Sequence, residues 1–353
     1  MKRTILLLTG VVFAATIAIG AAIAPARADD LVFVSWGGAY SQSQREAYLK
    51  PFAAESGINV VEEEYSGELA KVRAMVETGQ VTWDIVDVGF DMALTGCNEG
   101  FFEEIDWARV GQNPDSFVPN AALDCAVGTM VYSTVYAYDA DVITSNPPTT
   151  IADLYDLETW PGKRGLEKTA FVNMEWALLA DGVPMDEIYD LLSTEEGIAR
   201  AFAKLDTIKD HVVWWDSGSQ ALQLLSDGEV VMTSVWNGRI YDANKNEGKN
   251  FVIVWDAQGF DFDYFAIPKG TPNLDAAYKF LAFASDPKVM ATQSQYISYG
   301  PVHKDAIQFI SPDILKDLPT APENSYNVLH LDSYWWADHR DDLEKRFAAW
   351  LAQ

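Results

Sequence analysis

The residues best suited to chemistry lie between positions 231 and 263. A short β-type run there ends in Trp236-Asn237-Gly238-Arg239, which joins an aromatic ring to a guanidinium. A second run, residues 251–255, is followed by a Gly-rich bend and then by two carboxylates, Asp261 and Asp263. Loops at strand ends are where α/β domains bind ligands. A ring, a cation and paired acids beside one cleft suit a small charged organic solute. They do not by themselves indicate a reaction.

Each of these residues also has an ordinary structural interpretation. Trp236 could belong to the hydrophobic core. Arg239 could lie on the surface, or pair with an acid outside the cleft such as Asp242. Asp261 and Asp263 could simply form turns. The stretch alone leaves both interpretations open, so the elements around it have to be considered.

The chain before this stretch alternates between strands and helices. Residues 29–34, 58–63 and 83–88 form β-type runs, and the segments between them have the apolar spacing of helices. The third run leads into Phe90. This alternation predicts an α/β fold with a parallel, doubly wound sheet. A β-rich run at 126–138 is typical of a long crossover strand, and the shift in composition after it indicates a second domain.

Another strand end lies at residues 214–216 and runs into the start of a helix. For that reason we expect Trp215 and Asp216 to lie near the cleft. Ser217 could be the nucleophile of an enzyme, but a Ser at a helix start is more typical of a cap. No His is close to it in the sequence, and the four His residues lack metal-ligand spacing. The sequence therefore indicates no catalytic residue, no metal site and no cofactor.

The first 28 residues are predicted to be a secretory signal peptide that is cleaved after Ala28. They contain a basic start, an apolar run and an A-x-A site at Ala26-Arg27-Ala28. An uncleaved anchor is the alternative, because the apolar run is nearly long enough to span a bilayer. No later stretch could do so. We therefore expect an exported, soluble protein, and a chain of 353 residues suits about two domains.

Charge and cysteine content narrow the possible partners. The formal net charge is −27 at pH 7, which argues against nucleic acid and anionic membranes as partners. Two cysteines, Cys97 and Cys125, lie in the exported part. An oxidising compartment and an even count predict one disulfide between them, and two free buried thiols are the alternative.

Several short motifs follow one another along nearly the whole mature chain. They are Ser-Trp-Gly-Gly-Ala-Tyr at 35–40, Trp-Asp-Ile-Val at 83–86, Pro-Gly-Lys at 161–163, Trp-Asn-Gly at 236–238, Ala-Ile-Pro at 266–268 and Tyr-Gly-Pro at 299–301. No single motif is specific, but the ordered set is. With this set the chain resembles the periplasmic solute-binding proteins of ABC importers, in the branch that includes spermidine- and putrescine-binding proteins.

The resemblance implies a periplasmic binding protein type 2 fold. Its two lobes, each a doubly wound sheet flanked by helices, would be joined by crossing hinge strands and close on a ligand. Lobe 1 would comprise residues 29–137 and 262–303, and lobe 2 residues 138–261 and 304–353. The protein would be a periplasmic monomer that delivers a solute to ABC permease subunits in the inner membrane, without catalysis.

The resemblance also implies roles for individual residues. Trp36, Tyr40 and Tyr299 would be aromatic walls, Trp236 a stacking plate, and Asp263 the carboxylate for an ammonium. A protonated amine over an aromatic face gains about 0.5–2 kcal/mol. The full predicted set of ligand-binding residues is Trp36, Tyr40, Phe90, Trp215, Asp216, Trp236, Arg239, Asp261, Asp263 and Tyr299.

Two departures from the polyamine binders change the expected ligand. The acids that those proteins use in lobe 2 for the far amine are absent near Ala170-Phe171-Val172. In addition, Arg239 directly follows the Trp-Asn-Gly motif, and a guanidinium repels a diamine but pairs with a carboxylate. We therefore favour a zwitterion, an ω-amino acid such as 4-aminobutyrate, with Arg239 on its carboxylate and Asp263 or Asp261 on its amine. A polyamine is the alternative ligand. An oxyanion or metal-ion binder, or a secreted enzyme on a similar frame, is a more distant possibility.

Overall fold

The structure is a computed structural model that describes residues 30–353. The predicted signal peptide and its cleavage site lie outside these residues. The strands are β1 (Asp30–Ser35), β2 (Asn59–Glu64), β3 (Ile85–Gly89), β4 (Ala126–Asp139), β5 (Arg164–Glu167), β6 (Val212–Trp215), β7 (Met232–Trp236), β8 (Phe251–Ala266), β9 (Gly300–Pro301) and β10 (Val328–His330).

Helices alternate with most of these strands, as the sequence predicts. They are α1 (Gly38–Gln44), α2 (Lys50–Ser56), α3 (Leu69–Thr78), α4 (Phe90–Asn98), α5 (Trp107–Val110), α6 (Asn173–Ala180), α7 (Ile188–Leu192), α8 (Glu195–Asp206), α9 (Gly218–Ser226), α10 (Asn237–Asn246), α11 (Leu274–Ala284), α12 (Pro287–Gln293), α13 (Pro312–Leu315) and α14 (Ser333–Leu351). A π-helical turn, Arg45–Leu49, joins α1 to α2. Gly57 ends α2 in the left-handed conformation, at φ 72°.

The strands of residues 30–353 form one sheet in the order β2-β1-β3-β8-β4-β7-β5-β6, with β10 beside β8 and β9 beside β4. Strand β1 runs parallel to β2 and β3, and β5 runs parallel to β6 and β7. The contacts in the middle of the sheet, β3 with β8, β8 with β4 and β4 with β7, are antiparallel. The parallel order predicted from the first three strands is therefore confirmed, and the antiparallel contacts are those that β4 and β8 make with each other and with β7 and β3.

Two long strands connect the outer groups. β4 and β8 pair from Ala126 with Ala266 to Asp139 with Phe251. We call β1, β2 and β3 the β3 group, and β5, β6 and β7 the β7 group. The β3 group joins one end of the β4–β8 pair, and the β7 group joins the other end. Separate cores pack at the two ends, one containing Phe33 and the other Trp176. β4 and β8 are the crossing strands that the family resemblance implies.

The Gly-rich bend in the site stretch lies inside β8 rather than between two strands. The register with β4 shifts between the pairs Thr134–Gly259 and Tyr136–Val254, so β8 bulges there. At the bulge Ala257 has φ 54°, and its carbonyl accepts a hydrogen bond from Trp176 Nε1 at 2.8 Å. The bulge absorbs the extra residues without ending the strand, so the run at 251–255, the bend and the two carboxylates all belong to β8.

The predicted lobe boundaries at 137/138 and 261/262 fall within β4 and β8. Both boundaries stay predictions. Beyond the third boundary, at 303/304, Ala306 and Ile310 pack against Ala291 of α12. Because α12 lies in predicted lobe 1, we propose that this boundary falls after residue 318.

Cys97, in α4, and Cys125, directly before β4, form a disulfide with an S–S distance of 2.05 Å. The prediction of a single disulfide is confirmed. It attaches α4 to the beginning of a crossing strand. From residue 30 to 353, no helix combines the length and apolar composition that a membrane span requires.

We expect replacement of both Cys97 and Cys125 by Ser to lower the free energy of unfolding by about 3 kcal/mol, since the bond closes a loop between residues 28 positions apart. Urea denaturation with and without dithiothreitol measures this. The reductant should destabilise the natural sequence and leave the double variant unchanged. Equal stability of the two proteins under oxidising conditions would contradict the expectation.

Candidate ligand-binding site

Two adjoining cavities lie between the β3 and β7 groups of strands. We call the first the inner chamber. Its walls are Trp36, Tyr40, Met130, Tyr132, Trp236, Arg239, Asp263 and Tyr299. Six of these residues belong to the set predicted from the sequence, and Met130 and Tyr132 do not.

Strand ends and helix starts carry the inner chamber, as expected for an α/β protein. Trp36 follows the last residue of β1, and Trp236 is the last residue of β7. Tyr40 lies on α1, and Arg239 lies in the first turn of α10. Asp263 comes from the crossing strand β8. Both outer groups of strands therefore contribute to one cavity.

Arg239 is buried without a counterion among the described residues. It is 1% exposed, and Nη2 donates hydrogen bonds to the carbonyls of Trp36 at 3.2 Å and Gly37 at 3.3 Å. Nε is buried and has no hydrogen-bond partner within residues 30–353. Burial lowers the pKa of Arg239. Asp242, the alternative partner considered above, instead accepts a hydrogen bond from Asn246.

Glycines make the space for this guanidinium. A Cβ on Gly38 would lie 2.6 Å from Arg239 Nη1, and a Cβ on Gly218 would overlap Nε. Gly38 begins α1 and Gly218 begins α9. Arg239 itself is in the first turn of α10, so three helices begin around its side chain. The partial positive charge at helix N-termini adds to the preference of this end of the chamber for an anion.

The opposite charge comes from a carboxyl pair: Asp263 lines the inner chamber, and Asp87 lies behind the walls formed by Trp36 and Tyr40. Asp263 is 5% exposed, and Asp87 is fully buried beside it. Asp87 accepts hydrogen bonds from Trp36 Nε1 at 3.1 Å, from the Tyr40 hydroxyl at 2.8 Å and from Gln44. Asp87 and Asp263 are close enough for each carboxyl group to affect the pKa of the other.

Both carboxyl groups have pKa values far above those of exposed aspartates. Burial raises the pKa of Asp87 to about 7, although the hydrogen bonds from Tyr40, Gln44 and Trp36 partly offset that effect. Burial, followed by repulsion from Asp87 and Asp261, raises the pKa of Asp263 well above its usual value. A cation placed between them would reverse both shifts. The pair is therefore suited to an ammonium group.

The sequence analysis missed Asp87. Its strand was recognised, and it lies two residues before the strand end at Gly89, where site residues are common. Asp84, directly before β3, has a structural role: it accepts hydrogen bonds from the amide of Val32 and from Thr271. The side-chain partners that separate these two aspartates are not visible in a single sequence.

Aromatic rings form most of the remaining wall. Trp36 and Trp236 meet with ring centroids 6.3 Å apart, and Tyr40 and Tyr299 with centroids 5.4 Å apart. Tyr132 lies 6.2 Å from Tyr299. These flat apolar faces can cover a short methylene chain between an anion at Arg239 and a cation at Asp263. Tyr132 was noted only as part of an alternating strand, because its cleft position depends on the pairing of β4 with β8.

The second cavity, which we call the outer chamber, shares Trp36, Tyr132 and Trp236 with the inner chamber. Its further walls include Asp91, Glu167, Trp215, Asp216, Asp261 and Arg340. Trp215 is buried, and its ring centroid lies 5.8 Å from that of Trp236 in an edge-to-face arrangement. Asp216 is exposed, and its Oδ1 lies 3.7 Å from Lys168 Nζ. The sequence placed these residues beside the cleft, and the structure has them in its outer part.

Phe90 lies in neither chamber. It begins α4, is 4% exposed, and packs against Phe262, Tyr264 and Tyr334 with centroid distances of 6.0, 5.3 and 5.5 Å. A large apolar ring at this strand–helix junction is directed into the core of its own group. We therefore leave Phe90 out of the site.

Comparison with known proteins identifies the family. The profile described as bacterial extracellular solute-binding protein matches residues 47–323. The chain belongs to this family. Over 333 residues, or 94% of either chain, it is 46% identical to the gamma-aminobutyric acid-binding protein of Pseudomonas aeruginosa.

Solved structures of similar proteins give the same assignment. The Atu4243–GABA receptor shares 37% identity, with a TM-score of 0.80 over 92% of this chain and 98% of that one. An ABC transporter substrate-binding protein from Bradyrhizobium japonicum USDA 110 shares 33% identity, with a TM-score of 0.81 over 91% and 99%. The protein therefore has the periplasmic binding protein type 2 fold. It is a solute-binding component of an ABC transporter, not an enzyme.

We expect Asp263→Asn to stabilise the ligand-free solute-binding protein. Because the pKa of Asp263 is raised on folding, the natural protein loses stability as the pH rises from the ordinary aspartate pKa of 3.8. The advantage of the variant in free energy of unfolding should thus grow between pH 5 and pH 8 and reach on the order of 1 kcal/mol or more, and its Tm should rise accordingly.

Thermal unfolding of the ligand-free proteins across this pH range measures the effect. Asp216→Asn removes an exposed carboxylate from the same cleft and is the matched control. A Tm of Asp263→Asn below that of the natural protein at pH 8 would contradict the expectation.

Proposed function

We propose that this protein captures 4-aminobutyrate, or a closely related ω-amino acid, in the periplasm. The observation that carries this proposal is that one chamber is lined by a buried guanidinium without a counterion among residues 30–353 and by the buried carboxyl group of Asp263, which is coupled to Asp87 behind the wall. A zwitterion supplies the missing charge at both ends. The gamma-aminobutyric acid-binding protein that resembles this chain over 94% of its length supports the same ligand.

In this proposal Arg239 holds the ligand carboxylate. Its Nε has no partner within residues 30–353 and can donate one hydrogen bond, and a guanidinium can hold a carboxylate through two parallel bonds. The starts of α1, α9 and α10 around Arg239 favour the same charge.

Asp263 and Asp87 hold the ammonium. An ammonium near 4 Å from a partly desolvated carboxylate gains roughly 4 kcal/mol at an effective dielectric constant of about 20. The rings of Trp36, Trp236 and Tyr299 cover the methylene groups between the two ends. Neither end offers a nucleophile or a proton transfer to the ligand, in keeping with a protein that carries its solute unchanged.

The delivery step follows from the family. The protein acts as a monomer after removal of residues 1–28 and presents its ligand to ABC permease subunits in the inner membrane. Closure of the two lobes over the solute provides the surface that the permease recognises. The disulfide supports an oxidising compartment such as the periplasm.

A polyamine is the second candidate, since putrescine-binding proteins are also among the relatives. Its near amine would fit Asp263 and Asp87. Its far amine would meet the guanidinium of Arg239 in the inner chamber, where like charges repel. Arg239 therefore separates the two candidates.

We expect isothermal titration calorimetry to show tight binding of 4-aminobutyrate and weak or no binding of putrescine. Arg239→Gln should weaken 4-aminobutyrate binding by about 100-fold or more, because it leaves the ligand carboxylate without its charged partner. Arg109→Gln, which removes an arginine paired with Asp275 on the surface, is the control. Tight putrescine binding that survives Arg239→Gln would overturn the proposal in favour of a polyamine.

The glycine beside Arg239 gives a further prediction. Gly218→Ala should weaken 4-aminobutyrate binding by about tenfold or more, since the new methyl group overlaps Arg239 Nε and displaces the guanidinium. Ala is a better helix former than Gly, so loss of the helix is not the expected cause. Ser219→Ala, at the next and exposed position, is the matched control. Unchanged affinity of Gly218→Ala would show that the guanidinium position is not critical.

A further inference from the structure

We propose that the outer chamber contains a second cation subsite, centred on Asp261, for an ammonium on a tail that extends from the amine of the bound ω-amino acid. The inference rests on the proposed function for the position of the ligand head in the inner chamber. It extends the ligand class from simple ω-amino acids to those with an aminoalkyl group on their amine.

Asp261 is the residue that first indicates this subsite. It lines the outer chamber and is 2% exposed. Oδ1 accepts one long hydrogen bond, from the Ser333 hydroxyl at 3.3 Å. Oδ2 is buried and has no hydrogen-bond partner in the described part of the chain. A buried carboxylate oxygen without a donor is costly unless a ligand supplies one.

The cations of the outer chamber are already engaged elsewhere. Arg340 forms an ion pair with Asp91, lies 3.8 Å from Glu344 and stacks over Phe171 at 4.4 Å. Lys168 lies 3.7 Å from Asp216. Within residues 30–353, neither Asp261 nor Glu167 forms an ion pair at 4 Å or less. The outer chamber therefore contains two carboxyl groups that no side-chain cation of the described residues neutralises.

Burial reinforces this excess of acid. It raises the pKa of Asp261 to about 8, with a further contribution from the nearby Asp91, and it raises the pKa of Glu167 to about 7. An added cation would lower both values and stabilise the charged forms. A neutral or anionic tail would gain nothing from these groups.

The direction of the tail follows from strand β8. Asp263 and Asp261 are two residues apart on one strand, so they lie on the same face and about 6.5 Å apart along it. Asp263 belongs to the inner chamber and Asp261 to the outer one. The path from the ligand ammonium to the outer chamber therefore follows the strand away from Asp263.

The walls between the chambers suit such a tail. Trp36, Tyr132 and Trp236 line both cavities, and Tyr132 pairs directly opposite Asp261 in the register of β4 with β8. These rings can cover methylene groups. The outer chamber has a volume of about 470 Å³, ample for a short chain. A four-carbon linker between two nitrogens matches the spacing of the two aspartates.

The chemistry of the head remains compatible with a tail. Alkylation of the amine leaves a secondary ammonium with two N–H donors and a full positive charge. Asp263 and Asp87 can accept one bond each, so the inner carboxyl pair is still satisfied. The predicted ligand class is thus an ω-amino acid whose secondary amine carries an aminobutyl group.

Calorimetry with three probes tests the inference. They are 4-aminobutyrate, its N-butyl derivative and its N-(4-aminobutyl) derivative. The two substituted probes differ only in the terminal amine, so their affinity ratio isolates the outer subsite. We expect the aminobutyl probe to bind at least about tenfold more tightly than the butyl probe, and Asp261→Asn to reduce this ratio to about one. Asp338→Asn, an exposed acid on α14, should leave the ratio unchanged.

Each outcome has a definite meaning. Equal binding of the two substituted probes, failure of both to bind, or a ratio that survives Asp261→Asn overturns the outer subsite. Failure of 4-aminobutyrate itself to bind overturns the proposed function. A preference for the aminobutyl probe that depends on Asp261, in a protein that does not bind 4-aminobutyrate, keeps the subsite and removes the simpler ligand.

Discussion

The site depends on one constraint: it contains buried charged groups that do not form ion pairs with each other. Arg239 and Asp263 line one chamber, with Asp87 behind its wall, yet no ion pair joins Arg239 to either aspartate. An isolated ion in a protein interior costs several kcal/mol. A ligand with a carboxylate and an ammonium at matching ends lowers the cost at both. A diamine lowers it at one end and adds repulsion at the other, so charge order discriminates between ligands of similar length.

The frame that holds these charges apart is built from the crossing strands and one amide side chain. Asn237 Oδ1 accepts a hydrogen bond from the amide of Ser133 on β4 at 2.9 Å, and Nδ2 donates to the carbonyl of Ser298 at 2.8 Å. The beginning of α10 is thereby fixed to a crossing strand and to the segment before Tyr299. Gly238 is needed next, because a Cβ there would lie 2.5 Å from the Tyr299 ring. The Trp-Asn-Gly-Arg sequence is thus a positioning motif.

Much of the fold and part of the site could be predicted from the sequence. Strand and helix periodicity located β1, β2 and β3, and the motif order gave the family fold. Trp236 and Arg239 were predicted because they lie at a strand end in a recognisable motif, and Asp263 because it follows a Gly-rich bend. Such residues are tied to local chain geometry, which a single sequence records.

The errors concern long-range pairing and side-chain direction. Asp87 and Tyr132 line or support the inner chamber only because β3 and β4 pair with β8, and that pairing is not local. Phe90 occupies a typical site position, but its ring turns into the core. The bend near Gly259 has the composition of a strand end, whereas Trp176 and Asn327 hold it as a bulge inside β8. A single sequence does not contain these contacts.

Charge burial also couples binding to closure. Arg239 of α10 donates to the carbonyls of Trp36 and Gly37 beyond β1, and Arg340 of α14 pairs with Asp91 of α4. These contacts join the β7 and β3 groups across the cleft, so they exist only when the groups approach each other. Approach without ligand removes water from Arg239 and Asp263, and it gains neutral carbonyl partners for Arg239 but no charged partner for either residue. With a zwitterion between them, the same approach replaces water by charged hydrogen bonds. The solute thus makes the electrostatic free energy of closure favourable. Because the solute binds the closed form more tightly than the open form, the population shifts toward the closed form.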